Sequence, residues 1–337
     1  MKMIDLENHF YDVAAIEAMA TRKGFPRIDN EEKVVRWTEK ITMPFGPVFD
    51  KLLDVEEGRL SVMDRVGINT AVLSHSMAIE ELDPSESVGL ARHCNDTIFG
   101  LTEKYPDRYL GSAILPVKDV GAACAELNRC VKEFGFVAWH THSNYVDPNS
   151  SDKSVIGPGD ERFLPIFETA AELGVYVYLH PTLPVYEDLA EFDFTFAGPA
   201  AGFTIDTMVT TLKLIASGLF DRVPGTKLVL GHLGEAIPFL LDRIDNRLNY
   251  LPNPKLKNRR MPSDYFKDNI YVTTSGNMSP AAFRCTKDVL GIEKIIFGSD
   301  YPYDNVDAMT DFVKALDITD EERELLFFKN AEKLLGR

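Results

Sequence analysis

The sequence has few cysteines, no long apolar run and no excess of basic residues, and each shortage excludes a class of protein. Four cysteines stand among 337 residues without a CxxC pair, so we expect no disulfide framework and a reducing cytosol. No apolar run is long enough to span a bilayer, and the charged start Met1–Asp5 is unlike a signal peptide. The 52 acidic residues outnumber 36 basic ones, a formal charge of -16, which argues against nucleic acid or anionic membranes as partners. A cytoplasmic enzyme is the remaining expectation.

The sequence does contain short apolar runs that alternate with segments of helical periodicity. The runs are rich in Val, Ile and aromatics and are apolar on successive residues, which is typical of strands buried on both faces. We interpret them as eight strands: Met3–Phe10, Asn69–Ser76, Tyr109–Pro116, Phe136–His142, Val175–Pro181, Lys227–Gly234, Asn269–Gly276 and Lys294–Asp300. Amphipathic segments between them predict helices, for example at Val120–Phe134, Arg162–Leu173, Thr207–Phe220, Ala236–Leu251 and Ala281–Leu290.

This alternation predicts an α/β fold, a (β/α)8 barrel of the TIM type, as one domain over residues 1–337. An open doubly wound sheet is the alternative, but no Gly-rich phosphate loop follows the first strand. Two stretches, Tyr11–Val55 and Thr182–Thr204, are longer than ordinary connections. They predict functional lids or subunit contacts inserted into the barrel.

Metal-competent side chains fall at the ends of four predicted strands. Glu7 and His9 end the first strand, His180 the fifth, His232 the sixth and Asp300 the eighth. In a barrel these carboxyl ends converge on one mouth. Glu7 and His9 are two residues apart and point to the same side, and His180 and Asp300 would approach from across the mouth. A mixed nitrogen and carboxylate shell suits Zn, Mn or Fe.

Each of these residues has a simpler interpretation when it is taken alone. A single histidine at a strand end is more often a hydrogen-bonded core residue, and Asp300 could cap a turn. Glu7 is the hardest to explain in this way, because an acidic group among apolar neighbours is costly to bury unpaired. Four such positions together favour a metal site formed by Glu7, His9, His180 and Asp300.

The segment after the sixth strand holds candidates for catalysis and substrate binding. His232 could be a fifth ligand or an unligated acid or base. Glu235 opens a helix three residues later, where it could orient His232 or favour the helix N-terminus. Arg243 on that helix could bind a substrate carboxylate bidentately, or it could form a surface ion pair with Asp242 or Asp245.

Four further histidines are ambiguous. His140 and His142 end the fourth strand in an HxH pair, and we expect one of them to enter the substrate pocket and the other to serve structure. His75, at the end of the second strand, has the same ambiguity. His93 lies in a helical stretch, where we expect it to face solvent or to serve structure.

The order and spacing of several motifs resemble the amidohydrolase superfamily, in the branch of aminocarboxymuconate-semialdehyde decarboxylase. The motifs are Leu6-Glu7-Asn8-His9-Phe10, Met63-Asp64-x-x-Gly67-Ile68 with Val72-Leu73-Ser74, Leu179-His180-Pro181, Gly231-His232-Leu233-Gly234-Glu235 through Pro238 to Arg243-Ile244-Asp245, Thr273-Thr274-Ser275-Gly276-Asn277, and Phe297-Gly298-Ser299-Asp300-Tyr301-Pro302-Tyr303. Within that branch the chain is most similar to the γ-resorcylate, 2,3-dihydroxybenzoate and 5-carboxyvanillate decarboxylases.

The resemblance implies a barrel with one divalent metal ion, Zn or Mn, that removes CO2 from an aromatic carboxylate without oxidation. It implies His232 as the active-site histidine with Glu235 beside it, and Arg243 as a substrate contact. It also implies a homodimer or homotetramer. Two features depart from the family pattern: Asn8 replaces a second glutamate, and the His140-Thr141-His142 segment is not typical of the benzoate decarboxylases. They leave the substrate open.

The chemistry of the reaction predicts that protonation precedes loss of CO2. Direct loss would leave a carbanion in the ring plane, whereas a proton added first to the carboxyl-bearing carbon avoids it. The metal would hold the carboxylate and an adjacent phenolic oxygen, Asp300 would deliver the proton, and His232 would assist. The same ligands would also serve a lactone hydrolase or a hydratase. A non-catalytic metal-containing scaffold is a third reading, against which the complete ligand set argues.

Overall fold

The computed structural model describes residues 1–76, 79–146, 155–182, 187–248 and 250–337. Eight parallel strands within these ranges form one sheet in chain order. They are β1 (Ile4–Phe10), β2 (Thr70–His75), β3 (Tyr109–Ala113), β4 (Ala138–His142), β5 (Tyr176–His180), β6 (Leu228–Leu230), β7 (Ile270–Thr273) and β8 (Ile295–Ile296).

The sheet closes between its first strand and the segment that contains its last. The Leu6 amide donates to the Phe297 carbonyl at 3.2 Å, and the His9 amide donates to the Tyr301 carbonyl at 2.7 Å. A doubly wound sheet would leave both edge strands unpaired. The predicted barrel is therefore confirmed, and the open alternative is wrong.

Helices cover the outside of the barrel between successive strands. They span Val13–Thr21, Gly46–Leu53, Glu57–Val66, Pro84–Lys104, Val120–Lys132, Leu164–Glu172, Gly202–Ala216, Ile237–Leu248, Pro262–Asp268, Pro280–Leu290 and Val306–Lys314, with shorter ones at Asp193–Thr195, Leu219–Arg222, Asp320–Glu324 and Asn330–Leu334. Trp139 on β4 packs edge-to-face against Phe167 with ring centroids 5.1 Å apart, one contact of the continuous core between strands and helices. No helix of the described ranges is long and apolar enough to cross a membrane.

The later strands are shorter than the sequence predicts. The run Lys227–Gly234 is a strand only over Leu228–Leu230, and Lys294–Asp300 only over Ile295–Ile296. Beyond these strands, His232 and Asp300 adopt φ values of 56° and 54°, which an extended strand does not contain. His232 and Asp300 therefore lie in turns after their strands, whereas Glu7, His9 and His180 lie within strands.

The predicted helices match in position and differ at their ends. The segment Thr207–Phe220 forms two helices, Gly202–Ala216 and Leu219–Arg222, because Gly218 between them has φ 75°. The helix predicted at Ala236–Leu251 spans Ile237–Leu248, and position 249 lies outside the described residues.

The two long insertions fold together over the mouth of the barrel. The first contains a three-stranded antiparallel sheet of Arg27–Asp29, Val34–Arg36 and Thr42–Pro44. The second contains helical turns from Glu187 to Ala200, while its residues 183–186 lie outside the described ranges. Thr42 joins them: its amide and its Oγ1 donate to the Asp193 carboxylate at 2.7 and 3.2 Å. The insertions thus form a common roof.

Candidate metal centre and active site

The barrel brings the four predicted ligands together at its mouth. Glu7 and His9 lie on β1, His180 ends β5, and Asp300 follows β8. One ligand atom from each lies within 4.8 Å of the ligand atoms of the other three. His9 Nε2 is 3.2 Å from Asp300 Oδ1 and 3.8 Å from Glu7 Oε1. This separation is suited to atoms that share one cation.

Neighbouring groups orient three of these ligands from behind. Ser74 Oγ is 2.9 Å from His9 Nδ1, and Thr273 Oγ1 donates to Glu7 Oε2 at 2.9 Å. His180 Nδ1 donates to its neighbour's carbonyl, Pro181 O, at 2.7 Å. Because a carbonyl can only accept, His180 keeps a lone pair on Nε2, the tautomer that a metal ligand needs.

The atoms that face the centre of the cluster lack hydrogen-bond partners. Among the described residues, Glu7 Oε1, His9 Nε2 and Asp300 Oδ1 are buried without one. Buried polar atoms are rarely left unsatisfied, and two carboxylates with two imidazoles form a donor set that Zn or Mn accepts. The residues therefore fit one divalent metal ion.

Electrostatic coupling within the cluster is strong in the absence of a cation. Burial opposes protonation of His9, but the nearby carboxylates of Asp300 and Glu7 outweigh it and raise the pKa of His9 to about 9. Burial lowers the pKa of His180 well below its usual range, and His9 adds to the shift. Burial alone would raise the pKa of Asp300, but the imidazoles of His232 and His9 beside it hold that pKa below its usual range. The same carboxylates that favour a positive charge on His9 would favour a divalent cation between them.

His232 forms a pair with Glu235 and points from it toward Asp300. The His232 Nδ1 atom donates to Glu235 Oε1 at 2.6 Å, and its Nε2 is 3.9 Å from Asp300 Oδ2. Thr204 Oγ1 donates to the other Glu235 oxygen at 2.8 Å. Burial disfavours the charged imidazole, yet Glu235 and Asp300 raise the pKa of His232 well above its usual range. This arrangement suits a residue that stores a proton next to Asp300.

Backbone strain is concentrated at the same place. Six non-glycine residues of the described chain have positive φ, and four of them belong to this site: His232, Leu233, Glu235 and Asp300. Such conformations are costly for residues with a Cβ and persist where the surroundings impose them. Gly276, with φ 66°, allows His232 to approach closely, because a Cβ there would lie 2.3 Å from His232 Cδ2.

A cavity of about 530 Å³ opens above the cluster, within the usual range for small-molecule sites. The two insertions supply much of its wall, including Tyr11, Trp37 and Met43 from the first and Phe194 and Phe203 from the second. Planar aromatic side chains suit a flat ring as the bound group. The insertions therefore wall the cavity within one chain, and their roles as functional lids or subunit contacts stay predictions.

The two histidines of β4 lie at different depths. His142 lines the cavity, whereas His140 lies beneath it and stacks on Tyr178 with ring centroids 5.6 Å apart. Burial lowers the pKa of His140 well below its usual range, and the charges of neighbouring His180 and His142 act in the same direction. His140 is thus placed to pack beneath the cavity, and His142 is placed to contact a ligand bound in the cavity.

The other two histidines take structural positions. His75 is buried at the end of β2, where its ring packs edge-to-face against Phe10 at 5.4 Å. His93 is exposed over 55% of its side chain, and its Nε2 lies 3.3 Å from Asp12 Oδ1. Neither belongs to the metal cluster.

Arg243 is not brought to this cavity. It is exposed on the helix Ile237–Leu248 and lines a separate surface depression with Asp242, Asn246, Arg247 and Tyr250. Ile237 and Leu241 turn the apolar face of that helix toward the core, so the side chain two residues after Leu241 points outward. The substrate contact expected for Arg243 is therefore corrected: the structure places it away from the cavity.

Sequence reasoning missed the residues that orient the site. Ser74 and Thr273 belong to the motifs quoted above, but the motifs do not predict that they orient metal ligands. Glu80, on the turn Ile79–Glu81, is not among the predicted site residues. Glu80 is buried and accepts hydrogen bonds from Thr141 and His142. An acid that carries no periodic pattern gives no signal in one sequence, because its partner comes from a strand about sixty residues away.

The fold and site define a metal-binding barrel of the amidohydrolase kind, and comparison with known proteins agrees. The model of the family described as amidohydrolase matches residues 5–337. The chain belongs to this family.

Individual relatives indicate which members of the amidohydrolase family the chain resembles. The chain is 35% identical over 289 residues to a gamma-resorcylate decarboxylase from Polaromonas sp. strain JS666, covering 84% of this chain and 88% of the relative. The crystal structure of 2,6-dihydroxybenzoate decarboxylase from Rhizobium superposes with a TM-score of 0.86 at 30% identity, covering 100% and 99% of the two chains. A dihydroxybenzoic acid decarboxylase structure from Polaromonas sp. JS666, with bound manganese and the inhibitor 2-nitroresorcinol, gives a TM-score of 0.86 at 31% identity, covering 99% and 97%.

Proposed function

We propose that the protein is a metal-dependent decarboxylase of a hydroxylated aromatic acid of the hydroxybenzoate type. The observation that carries the proposal is the four-ligand cluster beneath a cavity walled by aromatic side chains. It occurs in a chain similar along most of its length to a gamma-resorcylate decarboxylase. A ring carboxylate fits both parts of the site, because its charged end meets the cluster and its flat body meets the walls.

Glu7, His9, His180 and Asp300 would hold the ion. A divalent ion there, Zn or Mn, would supply positive charge that attracts the substrate carboxylate and helps to fix the ring. The overall charge of -16 would repel an anionic substrate. Attraction must therefore come from this local centre rather than from the surface.

Asp300 and His232 would then carry the proton. Asp300 first takes up the proton that His232 stores and then adds it to the carboxyl-bearing carbon, where a new C–H bond forms and the ring loses its aromaticity. The bond to the carboxyl carbon breaks next, its electron pair returns to the ring, and CO2 leaves. His232 Nε2 lies 3.9 Å from Asp300 Oδ2, so it can resupply that proton while Glu235 holds its ring.

The direct test follows CO2 release and ultraviolet loss over a panel of hydroxybenzoates with Mn- or Zn-loaded protein. Release of one CO2 per ring consumed supports the proposal. Opening of a lactone without CO2, or hydration of an unsaturated acid, would instead identify the hydrolase or the hydratase. An Asp300→Asn variant should lose at least about 100-fold in kcat. Near-normal turnover with metal retained would overturn the role of Asp300.

Metal analysis, taken together with the turnover panel, separates the enzyme from a non-catalytic metal-containing scaffold. Purified protein should carry one ion per chain, and Glu7→Gln and His180→Ala should lose it, because each removes a ligand that points at the centre. Because such a scaffold would also contain metal, stoichiometric metal in the wild type without turnover of any hydroxybenzoate in the panel would favour the scaffold.

The assembly and location of the protein stay predictions. We expect one domain, a cytoplasmic location and a homodimer or homotetramer. Light scattering at micromolar concentration would measure the oligomeric state.

A further inference from the structure

A second histidine–carboxylate pair faces the cavity, and the proposed reaction does not use it. His142 on β4 lines the cavity, and its Nδ1 lies 2.5 Å from Glu80 Oε2. The pair is nearly inaccessible to solvent, with 6% of the His142 side chain and 1% of the Glu80 side chain exposed. A buried carboxylate needs strong hydrogen-bond partners, and His142 supplies two of those of Glu80, through its amide and its ring.

Glu80 fixes the orientation of the His142 ring. Its carboxylate accepts hydrogen bonds from Thr141 Oγ1 at 2.7 Å, from the His142 amide at 3.0 Å and from His142 Nδ1. Lys118 Nζ donates to the Glu81 carbonyl at 2.9 Å and ties down the turn that carries Glu80. The Oε2 atom that faces Nδ1 also accepts from the His142 amide, and a carboxylate can only accept, so Nδ1 of His142 carries the hydrogen.

This tautomer determines what His142 offers to a ligand. With the hydrogen on Nδ1, the lone pair of the neutral ring is on Nε2. One ring nitrogen of His142 lies within 4.8 Å of a ring nitrogen of His180. Because His142 and His180 line the same cavity, a polar group on a ring bound at the metal centre is within reach of the His142 ring.

We propose that His142 accepts a hydrogen bond from a second ring hydroxyl of the substrate, with Glu80 as its positioning residue. The inference rests on the proposed function and adds to it a specificity-determining residue: the relatives compared above act on dihydroxybenzoates, and His142 is the acceptor that would recognise the second hydroxyl here. A substrate without that hydroxyl leaves a buried acceptor unpaired, which is how polar sites reject analogues. The two pairs, His232–Glu235 and His142–Glu80, then act on the proton and on the hydroxyl respectively.

The same histidine could instead bind metal, since His140, His142 and His180 also form a cluster within 4.8 Å. His180 has only Nε2 left for an ion, because its Nδ1 is bonded to Pro181. The two clusters share that atom, so they cannot hold two ions through separate His180 nitrogens. Metal content of His142 variants therefore distinguishes a ligand from a substrate contact.

The experiment measures binding and turnover on the full-length, Mn-loaded protein. The binding probes are 2-nitrophenol and 2-nitroresorcinol, which differ by one hydroxyl and are followed by absorbance. The substrates are 2-hydroxybenzoate, 2,3-dihydroxybenzoate and 2,6-dihydroxybenzoate. The variants are His142→Asn, which keeps a donor for Glu80 but removes Nε2, His142→Gln, whose amide oxygen reaches toward the Nε2 position, and Glu80→Gln. The control is His93→Asn, at an exposed histidine outside the site.

In the wild type, the second hydroxyl should tighten binding and raise kcat/KM by at least about tenfold for one dihydroxy isomer. His142→Asn should remove that ratio, His142→Gln should restore part of it, and Glu80→Gln should reduce it, while His93→Asn leaves it unchanged. A ratio within threefold of the wild type in His142→Asn overturns the proposal, as does loss of the ion from that variant or a wild type that does not discriminate. If the wild type binds the phenols but releases no CO2, the proposed function fails, and the binding ratio still decides the role of His142.

Discussion

Gly276 provides a sharp test of whether the position of His232 controls the reaction. Its φ of 66° is in the left-handed region, and a Cβ at this position would lie 2.3 Å from His232 Cδ2 and 3.1 Å from both Cγ and Nε2. A Gly276→Ala substitution must therefore move the imidazole. The ring cannot move freely, because its Nδ1 is held at 2.6 Å from Glu235.

Two effects of the substitution can be given magnitudes. The left-handed conformation costs an alanine about 1 to 2 kcal/mol, which should appear as a lower free energy of unfolding. Relief of the contact requires a shift of roughly 1 Å to reach an ordinary carbon–carbon distance. A misplacement of that size at a reacting centre costs about 100-fold in rate. We expect kcat/KM to fall by about that factor while the metal stays bound, because none of the four ligands is touched.

Gly135→Ala is the matched control for backbone strain. Gly135 has φ 70°, and a Cβ there meets nothing within 4 Å. The Gly135→Ala variant should lose as much free energy of unfolding in urea as Gly276→Ala, and it should keep its activity. If Gly276→Ala keeps kcat/KM within about threefold of Gly135→Ala, the reasoning that places His232 in the reaction is refuted.

Three further predictions concern the groups around the site. Thr273→Val removes the hydroxyl that orients Glu7 and should weaken metal binding by about 10- to 100-fold, measured by competition with a chelating dye. Asp193→Ala breaks the hydrogen bonds from Thr42 that join the two insertions, and should raise KM about fivefold in steady-state assays. Burial raises the pKa of Asp206 in the folded protein above its usual value. The protonated carboxyl group therefore contributes stability to the folded state, and this contribution is complete below the pKa of Asp206 in the unfolded chain, about 4. That contribution is lost as the pH rises through the folded pKa, and urea unfolding of Asp206→Asn should lack this loss.

Each of these predictions has a control and a contradicting result. Thr102→Val removes a hydroxyl bonded only within its own helix turn and should leave metal affinity unchanged; equal effects at both threonines would refute the role of Thr273. Asp193→Asn keeps an acceptor for the Thr42 amide, so a KM as high as in Asp193→Ala would contradict the hydrogen-bonded roof. A stability difference between wild type and Asp206→Asn that is constant from pH 4 to 8 would contradict the raised pKa.

The metal cluster could be predicted because it has a regular signal. Apolar runs give the strands, and a polar residue at the end of such a run stands out. Glu7 and His9 are two residues apart on one strand, and parallel strands place all their carboxyl ends at one mouth. The four ligands thus followed from the barrel, and their atoms lie within 4.8 Å of one another.

Arg243 shows where this reasoning ends. The number of residues between His232 and Arg243 says how far apart they are along the chain, but not toward which side the Arg243 side chain points. That direction is set by the packing of Ile237 and Leu241 against the core, a choice made by residues throughout the barrel. Glu80 is the opposite case, since it carries no pattern and becomes part of the site only when its turn meets β4.

The sequence by itself determined the number and order of the strands, the barrel and the four residues at its mouth, because hydrophobic periodicity and strand-end chemistry are local properties. The tertiary structure alone decided which groups orient those residues, that the two insertions form one roof, and that His142 rather than His140 reaches the cavity. Those outcomes depend on contacts between segments far apart in the chain. Their geometry is fixed only when the whole core packs.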